Sequence, residues 1–270
     1  MALAEAVTER EGLAVSASAY ELPDGGWTFS ANCEGKPDVV AFVALAREVM
    51  GTAAVFETTP VPEIDWVRKS LEGLRPVRAG RFWIHGAHDA GRAPAGTIPI
   101  LIDAGQAFGT GHHASTSLCL EAFTNLLRDG QPRNVLDLGC GSGVLAIAAA
   151  KALRRRVIAS DFDPVAVDVA AENARINGVD RLVKAVVADG MSDARLRGPY
   201  DLVFANILAE PLRRLAPALA RQISPGGAVI LSGFLDEQET RLVSAYGRHG
   251  FAPKAKATRV GWVALTLCRK

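Results

Sequence analysis

The chain has 270 residues, 49% of them hydrophobic and 22% charged, with a net charge of +1. That is globular composition, with room for one large domain and a smaller one. No apolar run approaches the ~20 residues of a membrane span, and the opening MALAEAVTEREG has three glutamates in place of a basic, then apolar, leader. Cys33, Cys119, Cys140 and Cys268 form no CxxC pair. They read as reduced thiols of a cytoplasmic protein, without a disulfide framework or zinc site.

Charge is unevenly placed. Residues 1–65 hold eleven acids against Arg10, Lys36 and Arg47, a net −8, so the remainder carries +9. An acidic first quarter does not suit a nucleic-acid contact there; it suits a solvated face or a basic protein partner.

In chain order, residues 2–10 and 37–50 (PDVVAFVALAREVM) have helical apolar spacing, the second opening on a proline that fits a first turn. Between them LAVSASAYEL and WTFSANCE alternate like strands around PDGG, which predicts a hairpin. TAAVFETT (52–59) reads as a further strand, and DWVRKSLEGL as a linking helix. This predicts a small domain over 1–60, a linker over 61–80 and a large domain over 81–270.

In the large domain VLDLG (135–139), VIASD (157–161), KAVVAD (184–189), DLVFAN (201–206) and AVILSG (228–233) are short apolar runs separated by helical segments. Alternating strands and helices predict an α/β fold with a doubly wound, mostly parallel sheet and ligands at the carboxyl ends of its strands. RVGWVALTLC suits a last antiparallel strand. Asp163 reads as a helix N-cap ahead of Pro164, and Asn177-Gly178 as a helix stop.

The chemistry concentrates at those strand ends. VLDLGCGSG places Gly139, Gly141 and Gly143 between a strand and a helix, where the backbone can pass close to a ligand. Its GxGxG spacing differs from the dinucleotide GxGxxG. Asp161 ends the next strand, 22 residues after Gly139, where a carboxylate can accept both hydroxyls of a ribose. Asp189 stands at the end of the third strand and Asn206 at the end of the fourth. Upstream lies a second glycine-rich stretch, DAGQAFGTGHHAST (103–116), with adjacent His112 and His113. Neighbouring histidines point apart on most backbones, so no metal site is expected. Cys119 and Cys140 read as small buried apolar residues.

Together, FGTGxHxxT, the GxGxG turn preceded by Asp137, and NILA after the fourth strand resemble the ribosomal protein L11 methyltransferase family. That likeness runs over nearly the whole chain. It implies a seven-stranded Rossmann-like methyltransferase sheet and a small α+β ferredoxin-like N-terminal domain that here lacks its first strand. It implies S-adenosylmethionine as cofactor, with Phe108, Thr110, Thr116, Gly139, Gly141, Asp161, Asp189 and Asn206 around it. Thr116 would hydrogen-bond the cofactor, and Asn206 would also orient the acceptor nitrogen. His113 matches the family's histidine, whereas His112 replaces its common threonine.

The resemblance further implies a monomeric protein methyltransferase acting on lysine and N-terminal amines of ribosomal protein L11, with no direct nucleic-acid or membrane contact. Two other readings are weighed. Methylation of another protein lysine or an RNA base is disfavoured by the acidic N-terminal domain and by NILA in place of Asn-Pro-Pro-Tyr. A non-catalytic nucleotide-binding module or an NAD dehydrogenase is disfavoured by the GxGxG spacing and the second glycine stretch.

Overall fold

The computed structural model describes residues 3, 6, 7, 10, 13–21, 27–52, 54–59, 76–102 and 114–270. The chain divides into two compact units, residues 1–64 and 65–270.

In the first unit, β1 (Ser16–Glu21) and β2 (Trp27–Asn32) pair antiparallel, with Ser16 opposite Asn32. Alternation sets the faces: Ala17, Phe29 and Ala31 pack inward, while Ser18 and Ser30 meet on the exposed side at 3.0 Å. Helix α1 (Val39–Met50) begins two residues later than the proline suggested. Asp38 is the N-cap, its carboxylate accepting the Ala41 amide at 3.0 Å, and Pro37 lies outside the helix. Gly51 closes α1 in the left-handed conformation. Phe29, Phe42 and Phe56 pack as a trio at 5.8–6.3 Å, with Leu3 and Val7 completing the core. The strand expected over 52–59 does not form: residues 54–59 pair with no strand. Phe56 is packed, but its neighbour Val55 is 96% exposed, so the segment is anchored through one ring rather than a ladder. The expected turn at 23–26 and linking helix at 65–74 lie outside the described residues.

The second unit is built on seven strands in the order β11-β12-β10-β9-β6-β7-β8. These are β6 (Val135–Leu138), β7 (Val157–Asp161), β8 (Val183–Val187), β9 (Tyr200–Asn206), β10 (Ile223–Leu235), β11 (Phe251–Arg259) and β12 (Trp262–Arg269). Strands β8, β7, β6, β9 and β10 run parallel; β12 is antiparallel to both β10 and β11. The order reverses between β6 and β9, which opens a crevice at their carboxyl ends.

Each face of the sheet has its own core. On one side α2 (Ala114–Asp129), α3 (Val144–Leu153) and α4 (Pro164–Ile176) cover Val135, Val157 and Phe204. On the other, α5 (Ala209–Gln222) and α6 (Glu239–Gly247) cover Leu136, Leu138 and Val203. Asp163 caps α4 through the Val165 amide at 2.9 Å, with Pro164 at the first turn as expected. Cys119 and Cys140 are both buried.

Two features escaped the sequence reading. A small sheet of β3 (Val77–Ala79), β4 (Phe82–His85) and β5 (Ile98–Leu101) buries Phe82, Ile84 and Ile100 in the first of those two cores. Asn177, read only as a helix stop, also pins β5: its side chain accepts from the Leu101 amide at 3.0 Å and donates to the Leu101 carbonyl at 2.6 Å. The edge strand β11 was also missed because it is mostly exposed and lysine-rich. Lys254 and Arg259 reach Asp129 and Glu121 on α2.

Phe123 stacks on Phe82 at 5.8 Å and meets Phe204 edge-on at 5.2 Å, joining the small sheet, α2 and β9. Phe123→Ala is expected to lower unfolding stability by about 3–5 kcal/mol, read from urea denaturation. A loss below 1 kcal/mol would show that the aromatic stack does not carry this junction.

Candidate active site

Strand β6 enters a turn whose glycines all have positive φ: +72° at Gly139, +50° at Gly141 and +78° at Gly143. A Cβ on Gly139 would stand 2.3 Å from the Ile207 Cγ2, and one on Gly143 would stand 2.9 Å from the Ala170 Cβ. No other residue type fits either place without displacing a neighbour. The turn is strapped down at several points. The Gly139 and Cys140 amides donate to the Ser160 carbonyl at 2.8 and 2.9 Å, and the Asn173 side chain donates to the Ser142 carbonyl at 2.8 Å.

Asp161 ends β7 and is 9% exposed. One carboxylate oxygen accepts the Gly141 amide at 2.9 Å and the other accepts the Asp163 amide at 3.2 Å. Each oxygen keeps a lone pair for a further donor. Phe162 follows it, 76% exposed, as an aromatic surface at the crevice. Asp189 lies two residues past β8 and is exposed; its carbonyl accepts the Ser192 hydroxyl at 2.9 Å.

Asn206 ends β9, and its amide donates to the Thr116 hydroxyl at 3.3 Å. Thr116 is fully buried in the first turn of α2. Among the described residues the Asn206 side-chain oxygen is buried and accepts no hydrogen bond, an acceptor open to a further donor. The next residue, Ile207, is the one that fills the space beside Gly139. Ile207 is held from the other side too: a Cβ on Gly233 (φ +86°) would stand 2.5 Å from its carbonyl oxygen. Thr116, Gly139, Gly141, Asp161 and Asn206 are thus brought to one end of the sheet, with Asp189 at the neighbouring strand end. Phe108, Thr110, His112 and His113 lie outside the described residues. Among the described residues no cluster of three His, Cys, Asp or Glu side chains could hold a metal ion.

The sequence reading noted Asp137 only as a neighbour of the glycine turn. It is 1% exposed, and one of its oxygens accepts the Ala146 amide in the first turn of α3 at 2.9 Å. Its other oxygen has no partner among the described residues. Burial pushes its pKa up to about 7; the Ala146 hydrogen bond opposes this and the Asp161 charge adds to it. The signal was a carboxylate inside an otherwise apolar strand. Burial likewise raises the Cys119 thiol to about 12 and shifts Cys140 upward, as suits unreactive core thiols.

These groups suit an adenosine-bearing cofactor. The glycine turn lets a ligand approach the backbone, Asp161 has acceptor capacity for ribose hydroxyls, and Asn206 has an acceptor without a donor among the described residues. The model of the family described as ribosomal protein L11 methyltransferase (PrmA) matches residues 27–270. A ribosomal protein L11 methyltransferase of Mesorhizobium japonicum is 50% identical over 232 residues, 85% of this chain and 78% of the relative. One from Rhodopseudomonas palustris is 46% identical over 256 residues, 93% of this chain and 87% of the relative. Among solved structures, a ribosomal protein L11 methylase from Lactobacillus delbrueckii subsp. bulgaricus matches with a TM-score of 0.65 at 30% identity. The match covers 73% of this chain and all of that one.

The raised Asp137 pKa has a consequence for stability. The folded state holds this proton from about pH 4 to about pH 7, where the unfolded chain has released it, so the stability it supplies is lost as pH rises through that window. Asp137→Asn keeps an oxygen for the Ala146 amide and never ionises. Relative to wild type, the variant is expected to gain on the order of 3 kcal/mol between pH 4 and pH 8 in chemical denaturation. A stability difference that does not change with pH would contradict the buried, protonated carboxyl.

Proposed function

The chain belongs to the ribosomal protein L11 methyltransferase family, and from that membership we propose how its residues carry out the reaction. It is a methyltransferase that uses S-adenosylmethionine. The acceptors in our reading are lysine side-chain amines and the N-terminal amine of ribosomal protein L11, methylated by a cytoplasmic monomer. The observation that supports the reading is the Asn206 oxygen at the end of β9, without a partner among the described residues, one residue before the contact of Ile207 with the glycine turn.

When bound, S-adenosylmethionine supplies an electrophilic methyl group on a sulfonium, which an amine lone pair displaces as the carbon–sulfur electrons return to sulfur. The chain's residues position this event. Gly139 and Gly141 let the backbone lie against the cofactor, and Asp161 accepts from its ribose hydroxyls. Phe162 offers a ring face beside them, with Asp189 near the adenine. Thr116 hydrogen-bonds the cofactor and fixes the Asn206 amide. The free Asn206 oxygen then accepts an N–H of the incoming amine, aiming its lone pair away from the side chain and toward the methyl group. Phe108 and Thr110, from the second glycine stretch, close on the cofactor in this reading. Holding two reactants in line in this way is a large share of what a methyl transfer requires.

The amine must arrive neutral. At pH 7 deprotonation costs about 4.6 kcal/mol for a lysine of pKa ~10.4, and about 1 kcal/mol for an α-amine of pKa ~7.8. Asp137 is buried and bonded to the Ala146 amide, so we assign it no role as a base; the proton leaves to bulk water.

Two measurements test this. Asn206→Ala is expected to lower kcat on ribosomal protein L11 by ~10²-fold, as for lost positioning, with a much smaller change in cofactor affinity by calorimetry. Full turnover in the variant would remove Asn206 from the reaction. For a lysine acceptor, kcat/KM is expected to rise about tenfold per pH unit from pH 6 to 9, while the α-amine rate levels off near pH 8. A lysine rate already flat at pH 7 would instead require a base within the protein.

A further inference from the structure

The catalytic crevice lies at the carboxyl ends of the parallel strands, and the opposite edge of the sheet has a cavity of its own, of about 550 Å³. Its floor is made by the first residues of four adjacent strands, Val135, Val157, Val183 and Tyr200. Its walls carry Arg156, Arg181, Lys184 and Arg197, all exposed, against a single carboxylate, Asp180. Among the described residues none of these four cations forms an ion pair. Asp193, which feels the Lys184 charge, is taken by Arg195 at 2.6 Å. Asp201 is engaged by the Arg133 and Asn134 backbone amides at 2.7 and 3.1 Å. Tyr200 is 3% exposed, and among the described residues its hydroxyl has no hydrogen-bond partner. Arg213 and Arg214, by contrast, pair with Glu210. Here the positive charge is concentrated and left open.

Against the expectation of no direct nucleic-acid contact, we propose that this cavity binds the phosphate backbone of RNA, on the edge of the sheet remote from methyl transfer. Arginine presents a planar fork that matches phosphate oxygens two at a time, and three of the four cations are arginines. They come from three separate loops around an open rim. Exposed Arg154, Arg155 and Arg133 adjoin them in the chain, a longer positive tract than one small anion needs. This accounts for part of the +9 carried outside the acidic first quarter. With Tyr200 buried and no exposed aromatic among the lining residues, there is no stacking platform. Binding therefore follows phosphate charge and carries little base preference. The choice of RNA among polyanions rests on the proposed substrate being a ribosomal protein. The test below involves no methyl transfer, so the two readings can fail separately.

The test is fluorescence anisotropy of a labelled 15-nucleotide polyuridine RNA with the full chain, titrated across salt concentrations. The triple variant Arg156→Ala/Arg181→Ala/Arg197→Ala is expected to bind at least tenfold more weakly at 100 mM salt. Its log–log salt slope should fall by about two, from three lost phosphate contacts at ~0.7 each. The matched control Arg213→Ala/Arg214→Ala/Arg248→Ala should bind as wild type. Equal cofactor affinity in all three proteins, by calorimetry, verifies that each is folded. No RNA binding by wild type at 50 mM salt would overturn the proposal, as would an equal loss in the control. Displacement of RNA by ATP or by polyglutamate at matched charge would also overturn it, pointing to a small-phosphate or an acidic-peptide site.

Discussion

The site depends on the contact of one side chain and its peptide with two glycines. Ile207 sits where β9 leaves the sheet, with its Cγ2 in the space a Cβ on Gly139 would occupy and its carbonyl against Gly233. Strand ends β6, β9 and β10 therefore converge at a point where neither neighbour can carry a side chain. Both glycines have positive φ, so the backbone at each is already in the conformation that the close approach requires. With Ile207 wedged, the residue before it has little freedom: Asn206 is paired in register with Ser232 on β10 and donates to Thr116 on α2. The direction of the Asn206 side chain thus follows from backbone packing, with a single side-chain hydrogen bond to set it.

The same economy appears in the cofactor turn. Asp161 accepts two backbone amides, one from the glycine turn and one from its own loop, before it meets any ligand. Asp137 accepts the Ala146 amide from below, and Asn173 reaches in from α4 to the Ser142 carbonyl. A turn held by three side chains from three elements changes little when a ligand arrives, which keeps the ordering cost of binding low. Preorganisation of this kind suits a reaction whose barrier is met by positioning.

Much of this was legible in the sequence because the parallel strands are buried on both faces. VLDL, VIASD and DLVFAN are near-continuous apolar runs of the length a central strand needs, and the helices between them have their own period. What was missed lacked such a signal. Phe251–Arg259 pairs with one neighbour only and shows lysines where a core strand shows valines. The short strands of 77–101 hold three or four residues each, too few to establish a period. At 52–59 the composition suited a strand, but only the packing of Phe56 against Phe29 and Phe42 is realised. The candidate site residues were proposed from their places at strand ends and from family likeness. The wedge at Ile207 and the buried charge state of Asp137 could not be found that way, since both depend on neighbours far along the chain.

The most direct test of the account is residue-resolved mass spectrometry of ribosomal protein L11 after incubation with this protein and S-adenosylmethionine. The account predicts added methyl groups on lysine side chains and on the N-terminal amine, and ~10²-fold slower addition when Asn206→Ala replaces the wild-type protein. Unmodified L11, from a preparation shown by calorimetry to bind S-adenosylmethionine, would contradict it.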